Sequence, residues 1–341
     1  MSADKPRSPR RMARMSDVAR LAGVTAMTVS RALRTPEKVS PETRKRVEEA
    51  VQRSGFVLNY AARSLVSQRS QIIVALFPTV MNSVFSGTIE GLSKLLAEHG
   101  YPLLLGETDF DTETEERLLA GFIGWRPAGI VVTGSNHTVG TRAMLQNADV
   151  PVVELWGLPK KPFDVSVGFS NSDAAYEMTR SLWEWGYRRI AFLSLGYPRN
   201  SRTEERRRGY LRAVEELGLP RERGLEAKVH FGFQAGRDGL RTILQRQPDV
   251  DAIFCSSDTL AVGALTEAIR MGLRVPQDLA IAGFGDVELA AELVPSLTTV
   301  HLPRAEMGAR AAEVLLERIG GSYDGPSVID CGYSIIRRES A

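Results

Sequence analysis

Along residues 16–33 the apolar positions recur at helical spacing, interrupted once by a turn signal. Val18, Leu21 and Ala22 share one side of a first helix, Gly23 supplies the turn, and Thr25 can cap the next helix by accepting a bond from a backbone N–H. Val29, Ala32 and Leu33 then repeat at i, i+3 and i+4. At about 100° per residue this turns Met27, Ser30 and Arg31 outward, with Ala26 and Thr28 flanking them. Such a pair reads either as two amphipathic helices of any helical domain or as a helix-turn-helix whose outer face fits the major groove. Ser40–Pro41 predicts the start of a third helix that Gly55 closes, with Val47, Ala50 and Val51 facing inward. Residues 59–66 are one more helical segment, too short to be stable alone in water. They read as a hinge that orders when two copies pack in a minor groove with Leu65 as a wedge, or as a linker helix packing Leu65 on its own domain.

From Gln71 onward the pattern changes to short apolar runs alternating with amphipathic stretches. Strands are predicted at 72–77, 102–106, 129–133 and 151–155, and again at 191–195, 228–231, 252–255 and 279–282. Helices are expected between them, near 85–99, 113–123, 141–148, 174–185, 204–217, 236–244 and 260–271. The fold class is therefore α/β: a small all-α head followed by two parallel sheets, whose ligands belong outside the C-terminal ends of the strands.

The chain has 341 residues and a net charge of +2, which hides an asymmetry. Residues 1–70 carry 15 Lys/Arg against six Asp/Glu, a net of +9, leaving −7 for the remainder. A basic block that coincides with a helix-turn-helix pattern is the expected electrostatic footprint on phosphates, and favours the groove-binding reading. Cys255 and Cys331 sit in apolar runs and are expected to be buried thiols rather than a disulfide framework. Residues 1–14 lack an apolar signal region and no run of about 18 apolar residues occurs, so a cytoplasmic location with no membrane partner is expected. No phosphate loop or nucleophile elbow is present, and His99, His137, His230 and His301 are scattered without metal spacing. The expectation is no enzyme, no catalytic residues, no metal and no cofactor.

DVARLAGVTAMTVSRAL, VSPETRKRVEEA, AARSL, SSDTLAVGAL and VPSLTTVHLP together resemble the LacI/GalR family of transcriptional regulators, over essentially the whole chain after about residue 14. Residues 1–14, basic and containing Pro and Ser, are expected to be a disordered tail, and the resemblance implies a helix-turn-helix headpiece (15–58), a hinge helix and linker (59–70), and a core resembling periplasmic sugar-binding proteins (71–341). Its N-lobe would comprise 71–169 and 299–325 and its C-lobe 170–298 and 326–341, with crossings near Phe169–Ser170, 297–299 and 325–327. It also implies a homodimer on pseudo-palindromic double-stranded operator DNA. The DNA contacts would be Ser16, Thr25, Ala26, Met27, Thr28, Ser30 and Arg31 of the headpiece, and Asn59, Ala62 and Leu65 of the hinge. Arg31 can donate two bonds to guanine, whereas Ala26 and Met27 offer only apolar contact. Leu58 stands where the family usually has a proline.

Effector candidates carried over from the resemblance are Asn82, Phe85, Glu107, Trp156, Phe169, Arg206, Asp258 and Asp286. Arg206 precedes Gly209 by three residues, as in the family's cleft helix, although Arg207 and Arg208 also fit an exposed basic helix end. Asp258 would accept ligand hydroxyls or serve a helix dipole, and Trp156 and Phe169 would offer ring faces or pack the core. Gly285 stands where many sugar-responsive members carry a carboxylate, leaving Asp286 as the acid of that loop. The GFGD loop, NSVF and LLLGET resemble the gluconate-utilisation repressors of the family, which implies a sugar acid such as gluconate as the small-molecule effector. The stripe Met307, Ala311, Val314 and Leu315 fits either a dimer surface or core packing, and the absence of a heptad tail favours a dimer over a tetramer.

Overall fold

The computed structural model describes residues 13–56, 70–80, 83–197 and 200–341. The hinge candidates Asn59, Ala62 and Leu65, and Asn82 of the effector set, lie outside the described residues. The chain divides into two compact units, 1–67 and 68–341.

The first unit is a three-helix headpiece: α1 (Met15–Ala22), α2 (Ala26–Arg34) and α3 (Pro41–Ser54). Thr25 Oγ1 accepts from Thr28 N at 3.2 Å and Ser40 Oγ from Thr43 N at 3.4 Å, as their N-cap positions require. Gly23 and Gly55 end their helices in the left-handed region, at φ 65° and 62°. The core is Val18, Ala19, Ala22, Val29, Ala32, Val47 and Ala50, with Leu33 and Val51 half-buried against it. Leu21 departs from the expected inward set and is 44% exposed. On a helical wheel Val18, Ala22 and Ala19 span one arc, and Leu21 falls on its rim.

The second unit holds two six-stranded sheets. The first contains β1 (Ile73–Phe77), β2 (Leu103–Glu107), β3 (Gly129–Thr133), β4 (Val152–Leu155), β5 (Val165–Gly168) and the later β11 (Val328–Asp330), in the order β11-β5-β4-β3-β1-β2, all parallel. The second contains β6 (Ile190–Leu195), β7 (Glu226–Val229), β8 (Ala252–Cys255), β9 (Ala280–Gly285), β10 (Thr298–His301) and β12 (Ser334–Ile336), in the order β12-β10-β9-β8-β6-β7. Its one antiparallel pair is β10 with β12. Helices α4 (Ser83–Glu98), α5 (Thr112–Ile123), α6 (Val139–Asn147) and α12 (Arg304–Gly320) cover the first sheet. Helices α7 (Asn171–Glu184), α8 (Ser201–Glu216), α9 (Phe233–Arg246) and α10 (Asp258–Arg270) cover the second, and α11 (Glu288–Glu292) follows β9.

Four strands escape the sequence pattern: β5, β10, β11 and β12 are three or four residues long and too short to show a period. Their pairing moves two of the expected lobe crossings. β10 pairs with β9, so the second crossing lies between His301 and Arg304 rather than at 297–299. β11 pairs with β5, so the third lies between Asp330 and Ser334 rather than at 325–327. The expected strand at 228–231 is found two residues earlier, at Glu226–Val229. Cys255 is buried, Cys331 half-buried, and both are free thiols.

Met307, Ala311, Val314 and Leu315 are fully buried within the chain, so the α12 stripe is core and not a surface for a second copy. α12 crosses α4 at two glycines. A Cβ on Gly308 would lie 2.0 Å from Thr88 O, and one on Gly91 2.1 Å from Ala305 O, so only hydrogen fits between these backbones. Gly308→Ala is expected to lower stability by about 1–3 kcal/mol through overpacking. Urea unfolding checks this, and an unchanged midpoint would show that the helix pair can slide apart without cost.

Candidate functional site

In each sheet the strand order reverses once, between β1 and β3 and between β6 and β8, and the loops at those points form a crevice outside the strands' C-terminal ends. The loops of the two sheets face each other there and enclose two adjoining cavities of about 30 Å3 each, room for roughly two waters apiece.

One cavity is aromatic and cationic, lined by Phe85, Trp156, Phe284, Arg202, Arg206 and Thr203 among others. Its centre is α8, held close to α7 because a Cβ on Gly209 would meet Ser172 O at 1.9 Å. Arg206, three residues earlier, is thereby placed for three neutral partners. Its Nε donates to Asn171 Oδ1 at 2.8 Å, its Nη1 donates to Ser256 O at 2.6 Å, and its guanidinium lies 3.8 Å from the Phe284 ring centroid. Asn171 in turn donates to Trp156 O at 2.9 Å, tying the start of α7 to the end of β4. Burial, reinforced by Arg202, lowers the Arg206 pKa to about 9, and the group remains a cation at neutral pH.

Arg202, one turn earlier on the same face, was missed by the sequence reading. It is 8% exposed, its guanidinium lies 5.7 Å from the Phe85 ring centroid, and Glu205 and Glu115 act on its charge without an ion pair. Burial lowers its pKa to about 10. The i, i−4 spacing from Arg206 was the available signal. Trp156, at the end of β4, adopts φ 69° and is 1% exposed, and its buried indole N–H has no acceptor among the described residues. Two cations without an ion-paired carboxylate and an orphan N–H therefore border one cavity. That is costly unless an acceptor arrives to satisfy them.

The second cavity is lined by hydroxyl and amide groups, including Thr108, Thr133, Asn200 and Ser201, and by Asp111 and Glu115. It shares Phe110, Asn200 and Arg202 with the first. Phe110 stacks on Tyr197 across the cleft, ring centroids 4.6 Å apart and 7° from parallel.

The remaining candidates are distributed around the cleft. Phe85 and Trp156 line it, whereas Phe169 is fully buried behind them against Trp156 and Phe284 and serves packing. Glu107 is exposed, and its neighbour Thr108 lines the cavity in its place. Asp286 is drawn away from Arg206: its carboxylate accepts from Arg338 Nη2 at 2.7 Å and bonds His301 Nδ1 at 2.8 Å. Asp258 is buried beneath the β9 loop, accepting from Thr299 Oγ1 at 2.5 Å and Val287 N at 2.9 Å. Gly283 leaves room for it, since a Cβ there would lie 2.2 Å from Asp258 Oδ1. A larger groove of about 800 Å3 lies along α5 and α6, but it is open and lacks the buried cations. Among the described residues no group of His, Cys, Asp or Glu is arranged to hold a metal ion and no helix is long and apolar enough to cross a membrane.

On the headpiece, Thr25, Ala26 and Met27 are exposed at the start of α2, Met27 at 71%, and Arg31 lies exposed one turn further on. Thr28 and Ser30 are half-buried and Ser16 is exposed at the start of α1. These side chains form one polar and apolar face opposite Val29 and Ala32, as an element entering a groove requires.

Burial raises Asp258 from 3.8 to about 6, against the lowering effect of its bonds to Thr299 and Val287. A carboxyl with a raised folded pKa contributes stability that is full below about pH 4 and is lost as pH rises through about 6. Asp258→Asn is expected to flatten this fall. Urea unfolding across that window checks it, and a slope equal to that of the unmodified protein would refute it.

A family model described as bacterial regulatory proteins, lacI family, matches residues 14–59, and one described as a periplasmic binding protein-like domain matches residues 179–341. The HTH-type transcriptional regulator GntR of Escherichia coli strain K12 is 36% identical over 94% of this chain and 96% of its own length. The HTH-type transcriptional regulator IdnR of the same strain is 34% identical over the same shares. In structure, a LacI-family transcriptional regulator from Silicibacter pomeroyi matches with a TM-score of 0.88 at 32% identity, covering 96% of this chain and 99% of that one. These relatives are transcriptional regulators, not enzymes.

Proposed function

The chain belongs to the LacI family of DNA-binding transcriptional regulators, and from that premise we propose that it is a dimeric repressor released from a pseudo-palindromic operator by a small sugar acid such as gluconate. The observation that carries the effector class is the pair of buried guanidiniums, Arg202 and Arg206, without an ion-paired carboxylate beside the unpartnered Trp156 N–H. A carboxylate supplies the missing negative charge and acceptors, and a polyol suits the hydroxyl-lined second cavity. The loops that resemble gluconate-utilisation repressors support the same class.

In this reading the α2 face, with Arg31 reading guanine, enters the major groove of each half-site, and the segment 59–70 joins it to the core. The effector, bound between the lobes, favours an arrangement of the two cores that separates the headpieces. A coupling of about 1–3 kcal/mol suffices to do so.

Fluorescence anisotropy on the protein's own promoter DNA, at one fixed salt concentration, tests this. Gluconate is expected to release the DNA. Arg206→Ala should bind DNA as before and no longer respond, whereas Arg31→Ala should lose about 1–3 kcal/mol of operator preference. Operator binding indifferent to gluconate at saturating concentration would remove the effector assignment.

A further inference from the structure

The two cavities of the cleft are oppositely polarised, and this polarity bears on which sugar acids can enter. Arg206 lines only the aromatic cavity, and Arg202 stands at the boundary that both share. The acids among the lining residues, Asp111 and Glu115, are both in the hydroxyl-lined cavity. A ligand that places its carboxylate between the arginines therefore extends its other end toward two carboxylates.

Neither acid is placed to swing away. Asp111 is the N-cap of α5 and accepts from Thr114 N at 2.9 Å and Thr114 Oγ1 at 2.7 Å, which holds its carboxyl below the usual range and ionised. Glu115 is 6% exposed and bonds His137 Nδ1 at 2.7 Å. The opposite ring nitrogen of His137 lies 3.9 Å from Glu154 Oε1 on β4, so the imidazole is wedged between two buried acids and fixes Glu115 from behind. The titratable groups facing this cavity are thus Asp111, Glu115 and Arg202, with His137 and Glu154 behind Glu115. Carboxylates accept bonds from alcohols and repel a second anion, the buried Glu115 more strongly than Asp111, which is exposed to solvent.

Resting on the sugar-acid reading above, we propose that Glu115, with Asp111, selects the far end of the effector: the ligand is an open-chain aldonate ending in a free alcohol, and terminally phosphorylated aldonates are excluded. Discrimination then comes from a repulsive element directed against the competitor as well as from attraction to the ligand. Arg206 sets the requirement for an acid at one end, and Glu115 forbids one at the other.

Isothermal titration of the full chain with D-gluconate and with 6-phospho-D-gluconate tests this. The unmodified protein should bind gluconate at least about tenfold more tightly than its phosphate ester. Glu115→Gln keeps the side-chain shape and removes the charge, and should narrow that ratio by about tenfold. If Glu115→Gln melts early, Asp111→Asn, which still caps α5, should shift the ratio in the same direction. Equal affinity for the two ligands, tighter binding of the phosphate ester, or a ratio untouched in both variants would overturn the proposal. If both ligands bind alike, only this inference falls. If neither binds, the sugar-acid reading beneath it falls too.

Discussion

A guanidinium taken out of water has to find its charge compensation inside the protein, and in this chain two of them, one turn apart on α8, make no ion pair among the described residues: Glu205 on the same helix acts on both without pairing, as do Glu115 on Arg202 and Asp258 on Arg206. Arg206 is satisfied by an amide oxygen, a backbone carbonyl and the face of Phe284; Arg202 has the face of Phe85. Much of the core can be understood as the framework that makes this tolerable. Gly209 lets α8 lie against the start of α7, which brings Asn171 to Arg206. Asn171 also holds Trp156 O, so the environment of the cation in one lobe depends on a strand end in the other. The cleft is therefore a place where desolvation cost is concentrated, and any anion that binds there relieves it.

The same arrangement explains how occupancy of the cleft can be felt by both lobes. Trp156 to Asn171 and Phe110 on Tyr197 join a loop after a strand of the first sheet to an element of the second lobe, and Arg202 over Phe85 joins α8 to the first turn of α4. Asp109 and Phe110 adopt φ of 49° and 58°, a conformation that side chains other than glycine rarely take, so the clasp residue is held under backbone strain. A ligand that inserts between these contacts exchanges them for its own. The relative placement of the lobes then follows the difference between the two sets of contacts and not the total affinity.

Local signals were legible in the sequence wherever one segment carries its own evidence. Thr25, Gly23, Ser40 and Gly55 mark helix ends by chemistry that acts within four residues, and all four hold those positions. The parallel strands buried on both faces show as apolar runs. Short strands did not: β10 and β11 are defined by pairing with β9 and β5, so the points where the chain changes lobes could not be placed from spacing alone. Arg202 was hidden for a related reason. It sits in SRTEERRRG, a stretch that reads as a solvated basic helix end, and only the packing of α8 shows that Arg202 and Arg206 turn inward while Arg208 is 70% exposed at its side chain.

The acids were the harder problem, because a carboxylate's role depends on which cation reaches it first. Asp286 is the acid left in the GFGD loop and was carried over as an effector contact. Yet Arg338 and His301, from the β12 side of the sheet and the end of β10, take its carboxylate before the cleft can use it. Asp258 is likewise spent on Thr299 and Val287, beneath glycines that exist to admit it. Once those two are removed from the cleft, the acids lining it are Asp111 and Glu115, in the cavity that Arg206 does not line. Long-range pairing thus decides more than whether a site is acidic or basic. It decides on which side of Arg202 the cleft carries its acids and on which side its second cation.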